Sequence, residues 1–139
     1  MTDADEVEQL RAVPVFAGLD EDALLRVAEA ASPFEVERGR VLAEHGQPGS
    51  GLFVITEGTV EVDLPNGRLI SVGPGEIVGE LSILADMERV ARVRATSTVR
   101  GLAISRGAFQ NLLESEPRIA LGLLPVLARR LAAAEAVHS

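Results

Sequence analysis

The chain has 139 residues, of which 47% are hydrophobic and 3% aromatic, so it fits one domain with an aliphatic core and is not a disordered protein. Its formal net charge of −8 gives an average surface that repels phosphate backbones, which argues against direct nucleic-acid binding. The lack of cysteine excludes disulfides, zinc–thiolate sites and thiol nucleophiles, and without a basic leader or a long apolar stretch we expect a cytoplasmic protein that does not enter the membrane.

The first predicted element follows an acidic segment, residues 1–10, which we separate from a single domain over residues 11–139. Asp20 is predicted to cap a helix of about ten residues, because its carboxylate can accept hydrogen bonds from the N–H groups of the first turn. Leu19 and Leu24 have the spacing of a hydrophobic staple across that helix start. An N-terminal helix is therefore expected to precede the β region.

Between Phe34 and Ile104 the sequence changes to short β-branched runs separated by glycines. Many short strands with regular turn signals are typical of an antiparallel barrel or jelly roll. We predict a mainly β fold with flanking helices, in which the β part is an antiparallel jelly roll, or double-stranded β-helix. The predicted strands contain Val41-Leu42, Phe53-Val54-Ile55, Val60-Glu61-Val62, Leu69-Ile70-Ser71-Val72, Ala91-Arg92-Val93-Arg94 and Leu102-Ala103-Ile104.

A hairpin tip is predicted where Pro65-Asn66-Gly67 separates two of these runs, between Val62 and Leu69. Asn-Gly supplies the two positive φ angles that the central residues of a type I′ turn require. We therefore predict a type I′ turn with Asn66 and Gly67 at its centre.

Ser115 is predicted to cap a long C-terminal helix, about residues 115–137, with Pro117 in its first turn. Apolar residues recur along this helix at alternating spacings of four and three, which is the pattern of a helix-pairing seam. The seam predicts a homodimer through this helix, and the alternative is that the seam packs back onto the β region. Its members are Ala120, Leu124, Leu127, Leu131 and Ala134.

All 13 basic residues are arginines, and the guanidinium group is suited to bidentate phosphate binding. One of them, Arg89, lies nine positions after Glu80, in a segment between two predicted strands. With the motifs around it, this segment resembles the cyclic nucleotide-binding domains of the catabolite activator protein family and of the protein kinase A regulatory subunit. The resemblance covers nearly the whole chain. Its matching pieces are Pro14-Val15-Phe16, Gly46, Gly58, Pro74-Gly75-Glu76, Gly79-Glu80-Leu81, Arg89 and Ala128-Arg129-Arg130-Leu131.

The resemblance implies a phosphate-binding cassette. A cyclic phosphodiester carries one negative charge, which the guanidinium of Arg89 and main-chain N–H groups can neutralise. In this reading Glu80 accepts a hydrogen bond from the ribose 2′-hydroxyl, and the N–H groups of Ser82, Val90 and Ala91 face the phosphate. The implied ligand-binding residues are Gly79, Glu80, Leu81, Ser82, Arg89, Val90 and Ala91.

The implied function is a non-enzymatic regulatory module that binds a cyclic nucleotide and signals through movement of its C-terminal helix to an effector protein. Cyclic AMP is the expected ligand, ahead of cyclic GMP, because Val90 lacks a hydroxyl for guanine. No metal is expected. The alternative is a ligand-free structural or dimerisation domain of the same fold, since the carboxylates of Asp86 and Glu88 would repel an anionic ligand nearby.

Overall fold

The computed structural model describes residues 3–44, 51–64, 67–79 and 91–138. The chain divides into two compact units. The helical unit consists of residues 1–28 and 111–139, and the β unit consists of residues 29–110. Both ends of the chain therefore belong to one unit, and the strands belong to the other.

The described residues contain four α-helices and one short 3-10 segment, Pro14–Phe16. Asp20 accepts a hydrogen bond from the N–H of Ala23 at 2.9 Å, so the predicted cap is confirmed, and Leu19 and Leu24, the residues of the predicted staple, are both buried. The acidic start of the chain is itself helical and buries Val7 and Leu10. The helices are α1 (Asp3–Arg11), α2 (Glu21–Ala30), α3 (Arg106–Ser115) and α4 (Arg118–His138).

Eight strands form two four-stranded sheets in which every described pair is antiparallel, so the mainly β fold with flanking helices is confirmed. The first sheet has the order β1-β8-β3-β6 and the second has the order β2-β7-β4-β5. The strands are β1 (Ala31–Val36), β2 (Val41–Ala43), β3 (Gly51–Glu57), β4 (Val60–Asp63), β5 (Leu69–Val72), β6 (Ile77–Val78), β7 (Arg92–Ala95) and β8 (Val99–Ser105).

The interior of the β unit is built from small aliphatic side chains of both sheets. Phe34 and Phe53 pack against it as an edge-to-face pair whose ring centroids are 5.4 Å apart. Because side chains alternate along a strand, β7 places Val93 and Ala95 inside and Arg92 and Arg94 in solvent. The buried members of this core are Ala43, Ile55, Val60, Val72, Val78, Val93, Ala95 and Val99.

The β4–β5 hairpin forms as predicted, but its turn differs from the predicted type. The N–H of Gly67 donates to the carbonyl of Leu64 at 2.9 Å, so Gly67 is the last residue of the turn rather than a central one. Its φ of +83° then matches a glycine bulge that follows the turn. The type I′ prediction was therefore wrong for Gly67, and Asn66 lies outside the described residues.

The C-terminal helical region begins earlier than predicted and is divided in two. Ser105 caps α3 by accepting from the N–H of Ala108 at 3.2 Å, and α3 ends at Ser115. The hydroxyl of Ser115 donates to the carbonyl of Leu112, so Ser115 closes α3 and does not cap the following helix as predicted. The long helix, α4, begins only at Arg118.

In the helical unit α4 packs closely on the 3-10 segment through Gly122. A Cβ atom at Gly122 would lie 2.2 Å from the carbonyl oxygen of Val15 and 3.0 Å from its carbonyl carbon, which is too close for an undisturbed backbone. Ile119 and Leu123, on the same side of the helix, are buried. Gly122 is therefore the point at which two backbones approach each other.

We expect the substitution Gly122→Ala to lower the free energy of unfolding by about 1–3 kcal/mol, because the new methyl group must displace the backbone at Val15. The matched control is Gly107→Ala, also in a helix, where a Cβ would meet no atom within 4 Å. That variant should gain up to about 1 kcal/mol from helix propensity. Urea denaturation of both variants measures the difference, and equal stabilisation of both would contradict the close contact.

Candidate functional site

The interior of the β unit is closed at one end by two turns that are bonded to each other. The hydroxyls of Thr59, between β3 and β4, and Thr96, between β7 and β8, lie 2.7 Å apart, and the N–H of Thr96 donates to the carbonyl of Thr59 at 3.0 Å. The core residues next to these turns, Val60 and Val99, are fully buried. The described residues at this end are therefore covered.

At the opposite end of the strands the inward-facing side chains are only partly covered. Phe53 and Ala103 pair across the first sheet, and Val62 and Ile70 pair across the second. Phe53, Ala103 and Val62 are half-buried, and Ile70 is 38% exposed. We call this region the open end; here the apolar interior reaches solvent.

Both attachment points of the segment 79–91 lie at the open end. Val78, the last residue of β6, pairs with Phe53, and Arg92, the first residue of β7, pairs with Asp63. β6 belongs to the first sheet and β7 to the second, so the segment leaves one wall of the interior and returns to the other. The segment with the predicted binding motif is thus anchored beside the exposed part of the interior.

A tight turn fixes the position from which this segment departs. The N–H of Gly75 donates to the carbonyl of Ile55 at 2.8 Å, and the N–H of Ile55 donates to the carbonyl of Glu76 at 2.9 Å. The carboxylate of Glu76 accepts from the N–H of Gly73 at 3.0 Å. The Pro74-Gly75-Glu76 motif therefore ties the chain to β3 directly before β6.

Gly79 is the residue at which the segment turns away from β6. It is half-buried and has a φ of +94°, in the left-handed region that side chains with a Cβ rarely adopt. A glycine is needed here for the backbone direction.

Charge pairs on the outer face of the second sheet lie beside the other attachment point. Arg92 donates to both carboxylate oxygens of Glu44, at 2.9 and 3.2 Å, and these hydrogen bonds raise the pKa of the Arg92 guanidinium above its ordinary value. Arg94 lies 3.6 Å from the carboxylate of Glu61. Both arginines are thus paired and face solvent, as expected for the outer face of a strand.

Two of the seven predicted ligand-binding residues, Gly79 and Ala91, belong to the described part of the chain. They are the first and last residues of the segment 79–91, and Ala91 is buried. The other predictions lie outside the described residues: Glu80, Leu81, Ser82, Arg89 and Val90. Nothing in the geometry therefore tests the contacts predicted for these five.

Sequence reasoning missed the apolar walls of the site. Phe53 and Val62 were identified only as strand residues, although strand alternation could have placed both on the inner face. The exposure of Ile70 had no sequence signal, because it depends on β5 being the edge strand of its sheet. The role of the Glu76 carboxylate in shaping the turn before β6 was also missed.

The described side chains that face inward at the open end are apolar. The inward-facing residues described there carry no charge, so an anionic ligand would need its counter-charge from the segment 79–91, whose single basic residue is Arg89. Across the described ranges no group of three or more His, Asp or Glu side chains is arranged to hold a metal ion. None of the described helices has the length and apolar character of a membrane span.

Comparison with known proteins agrees with this geometry. The family model of the cyclic nucleotide-binding domain matches residues 33–116, more than half of the chain. A CRP-like cAMP-activated global transcriptional regulator of Mycobacterium tuberculosis is 32% identical over 129 residues, which are 89% of this chain and 58% of the regulator. A cyclic nucleotide-gated potassium channel of Mesorhizobium japonicum is 36% identical over 126 residues, 90% of this chain and 35% of the channel.

A solved structure with the same fold is the regulatory subunit of a cAMP-independent protein kinase A from Trypanosoma cruzi, bound to guanosine. It is 31% identical in sequence, with a TM-score of 0.78, and the match covers 86% of this chain and 43% of that subunit. The chain therefore spans less than two thirds of the length of each of these three relatives.

Proposed function

Since this chain belongs to the cyclic nucleotide-binding domain family and is regulatory in type, we propose that it takes up a cyclic nucleotide at the open end of its β unit and is not an enzyme. Cyclic AMP is the proposed ligand. The proposed location is the cytoplasm. An effector protein is the proposed recipient of the signal.

The observation that supports this proposal most is the anchoring of the segment 79–91. Its sequence carries Gly79-Glu80-Leu81 and Arg89 in the family order, and both of its attachment points lie beside the half-buried Phe53 and Val62. A nucleotide has an apolar base, a sugar and a charged phosphate. The open end offers apolar surface, and the segment 79–91 carries one basic residue, Arg89.

In the proposed complex the phosphate is bound by the guanidinium of Arg89 and by main-chain N–H groups, among them that of Ala91. Glu80 accepts from the ribose 2′-hydroxyl. The positive φ of Gly79 directs the backbone away from β6 and leaves no side chain between strand and ligand. Binding would order the segment, and α4 would change its packing in response, which is a shift between two populations.

The second candidate is a structural or dimerisation domain with no ligand. Two observations favour it: Asp86 and Glu88 add negative charge to the segment, and α4 carries exposed leucines at positions 121, 124 and 131. The two candidates differ in a thermal melt, because a ligand at 100 times its Kd stabilises the folded state by about 2.7 kcal/mol. Stabilisation by a cyclic nucleotide supports the binding module, and its absence supports the structural domain.

We expect Arg89→Ala to weaken cyclic AMP binding by more than tenfold, because removing one partner of a desolvated charge pair costs about 2–5 kcal/mol. The matched control is Arg92→Ala, three positions away, where the arginine pairs with Glu44 on the outer face. Calorimetric titration should find wild-type affinity for the control. Wild-type affinity in Arg89→Ala would exclude the proposed cassette.

Base selectivity is expected to be modest, about tenfold in favour of cyclic AMP, or some 1.4 kcal/mol. The family positions that place hydroxyls against adenine correspond to Ala134 and Glu135, in the last turns of α4, where the backbone is described and the side chains are not. Alanine offers no hydrogen bond, and an unpaired carboxylate loses solvation on covering the base. Competition titration of cyclic AMP with cyclic GMP measures the ratio, and a thousandfold preference either way would require a hydrogen bond to the base from some other residue.

We also propose a homodimer through α4, with a seam that differs from the predicted one and is supported by the burial pattern of the helix. Leu121, Leu124 and Leu131 are 61–65% exposed, whereas Leu127 is half-buried. At about 100° per residue, Leu121 lies about 160° from the buried Ile119 and Leu123, and Leu124 and Leu131 lie within about 80° of Leu121. The proposed seam is therefore Leu121, Leu124, Ala128 and Leu131.

Leu124→Glu should convert a dimer to a monomer, because it places a charge in the centre of the seam. The control is Arg129→Glu, which also adds negative charge to an exposed position of α4 but lies about 120° from the middle of the seam. Analytical sedimentation at several concentrations distinguishes the two variants. A wild type that stays monomeric at high concentration would contradict the proposed dimer.

A further inference from the structure

The start of α4 is held at one residue, Glu116, which is bonded to three helices. Its N–H donates to the carbonyl of Leu112 at 2.7 Å, which completes the end of α3. Its carbonyl accepts from the N–H of Ile119 at 3.0 Å, which begins α4. Its carboxylate forms an ion pair with the guanidinium of Arg26 on α2.

This ion pair differs from the two pairs that Arg11 makes among the described residues of the helical unit, because its carboxylate is less exposed to solvent. The side chain of Glu116 is 15% exposed, whereas Glu8 and Glu21, which pair with Arg11, are 71% and 66% exposed. A carboxylate so covered has lost most of its hydration, and the charged hydrogen bond from Arg26 replaces it. Loss of Arg26 would leave that carboxylate without its counter-charge and would remove the ion pair that links α2 to the α3–α4 junction.

A short way further along, α4 meets the 3-10 segment. Ile119 and Leu123 are buried, and Gly122 lies against the carbonyl of Val15. Such a backbone contact tolerates little displacement, because small shifts of the helix would separate the surfaces or bring them into collision. The direction in which α4 leaves the α3–α4 junction therefore decides whether this contact can form.

We propose that the Arg26–Glu116 ion pair is an electrostatic latch that holds the first turns of α4 on the 3-10 segment, and that releasing the pair undocks them. The latch uses residues of the helical unit alone and requires no nucleotide. Only its role in signalling rests on the proposed function, in which α4 is the helix that carries the signal. A partner with an acidic group that draws Arg26 away would act on α4 without entering the open end.

The test is amide hydrogen exchange of residues 121–124 in the nucleotide-free protein, with residues 99–105 of β8 as the internal reference for an intact β unit. Arg26→Gln and Glu116→Gln should each accelerate exchange at residues 121–124 about tenfold, which corresponds to about 1.4 kcal/mol. The double variant Arg26→Glu with Glu116→Arg restores opposite charges and should return exchange to within about threefold of the wild type. Arg11→Gln, which removes the more exposed pair, is the matched control and should leave these amides unchanged.

Salt gives a second measurement that needs no substitution. Raising sodium chloride from 0.05 to 0.5 M should accelerate exchange at residues 121–124 in the wild type relative to β8, and should have no such effect in Arg26→Gln. The proposal is overturned if the single variants exchange like Arg11→Gln, if the reversed pair exchanges as fast as the single variants, or if salt leaves the wild type unchanged. Because no nucleotide is present, a protein that fails to bind cyclic AMP can still show the latch.

Discussion

Val93 packs into the apolar interior between the two sheets, and that packing determines which way the neighbouring side chains of β7 face. Alternation along β7 then turns Arg92 and Arg94 outward, where they pair with carboxylates. The antiparallel register with β4 brings the start of β7 beside Asp63, at the open end. The segment 79–91 must therefore return to the open end, so the position of the candidate site follows from the packing of the interior.

Local signals in the sequence were sufficient where one interaction decides the structure. Asp20 caps α2 because a short acceptor precedes an amphipathic run, and the valine-rich strands follow from alternation. The sequence was misleading where two local signals compete. Ser115 followed by Pro117 has the pattern of a helix start, but Ser105 has already begun α3, and the serine falls at its end. The short β6 has too few residues to show any periodicity.

The sequence predicts the binding motif of the candidate site, which stays a prediction at residues 80–90, but it does not predict the apolar walls. The glycines, Glu80 and Arg89 are recognisable because their order along the chain carries the resemblance. Phe53 and Val62 belong to different sheets, and each is positioned by pairing with a residue distant in sequence, Phe53 with Ala103 and Val62 with Val93, which no local pattern encodes. The seam of α4 shows the same limit. Spacing placed Leu127 in the predicted seam, but Leu127 is half-buried and the exposed leucine is Leu121, on the side of α4 away from the 3-10 segment.

The charge pairs that cover the outer faces of the strands have a consequence for alkaline solutions. Their cations are all guanidinium groups, and hydrogen bonds and charges from Glu35, Glu44 and Glu57 raise the pKa values of Arg92 and Arg100 above the ordinary arginine value. A group whose pKa is raised on folding contributes its stabilisation fully below the unfolded pKa and loses it only above. A lysine would begin to lose its charge near pH 10, but this chain has none. The pairs therefore keep their cations in alkaline buffers where lysine-based pairs fail, and reagents that modify lysine side chains find no target on this chain.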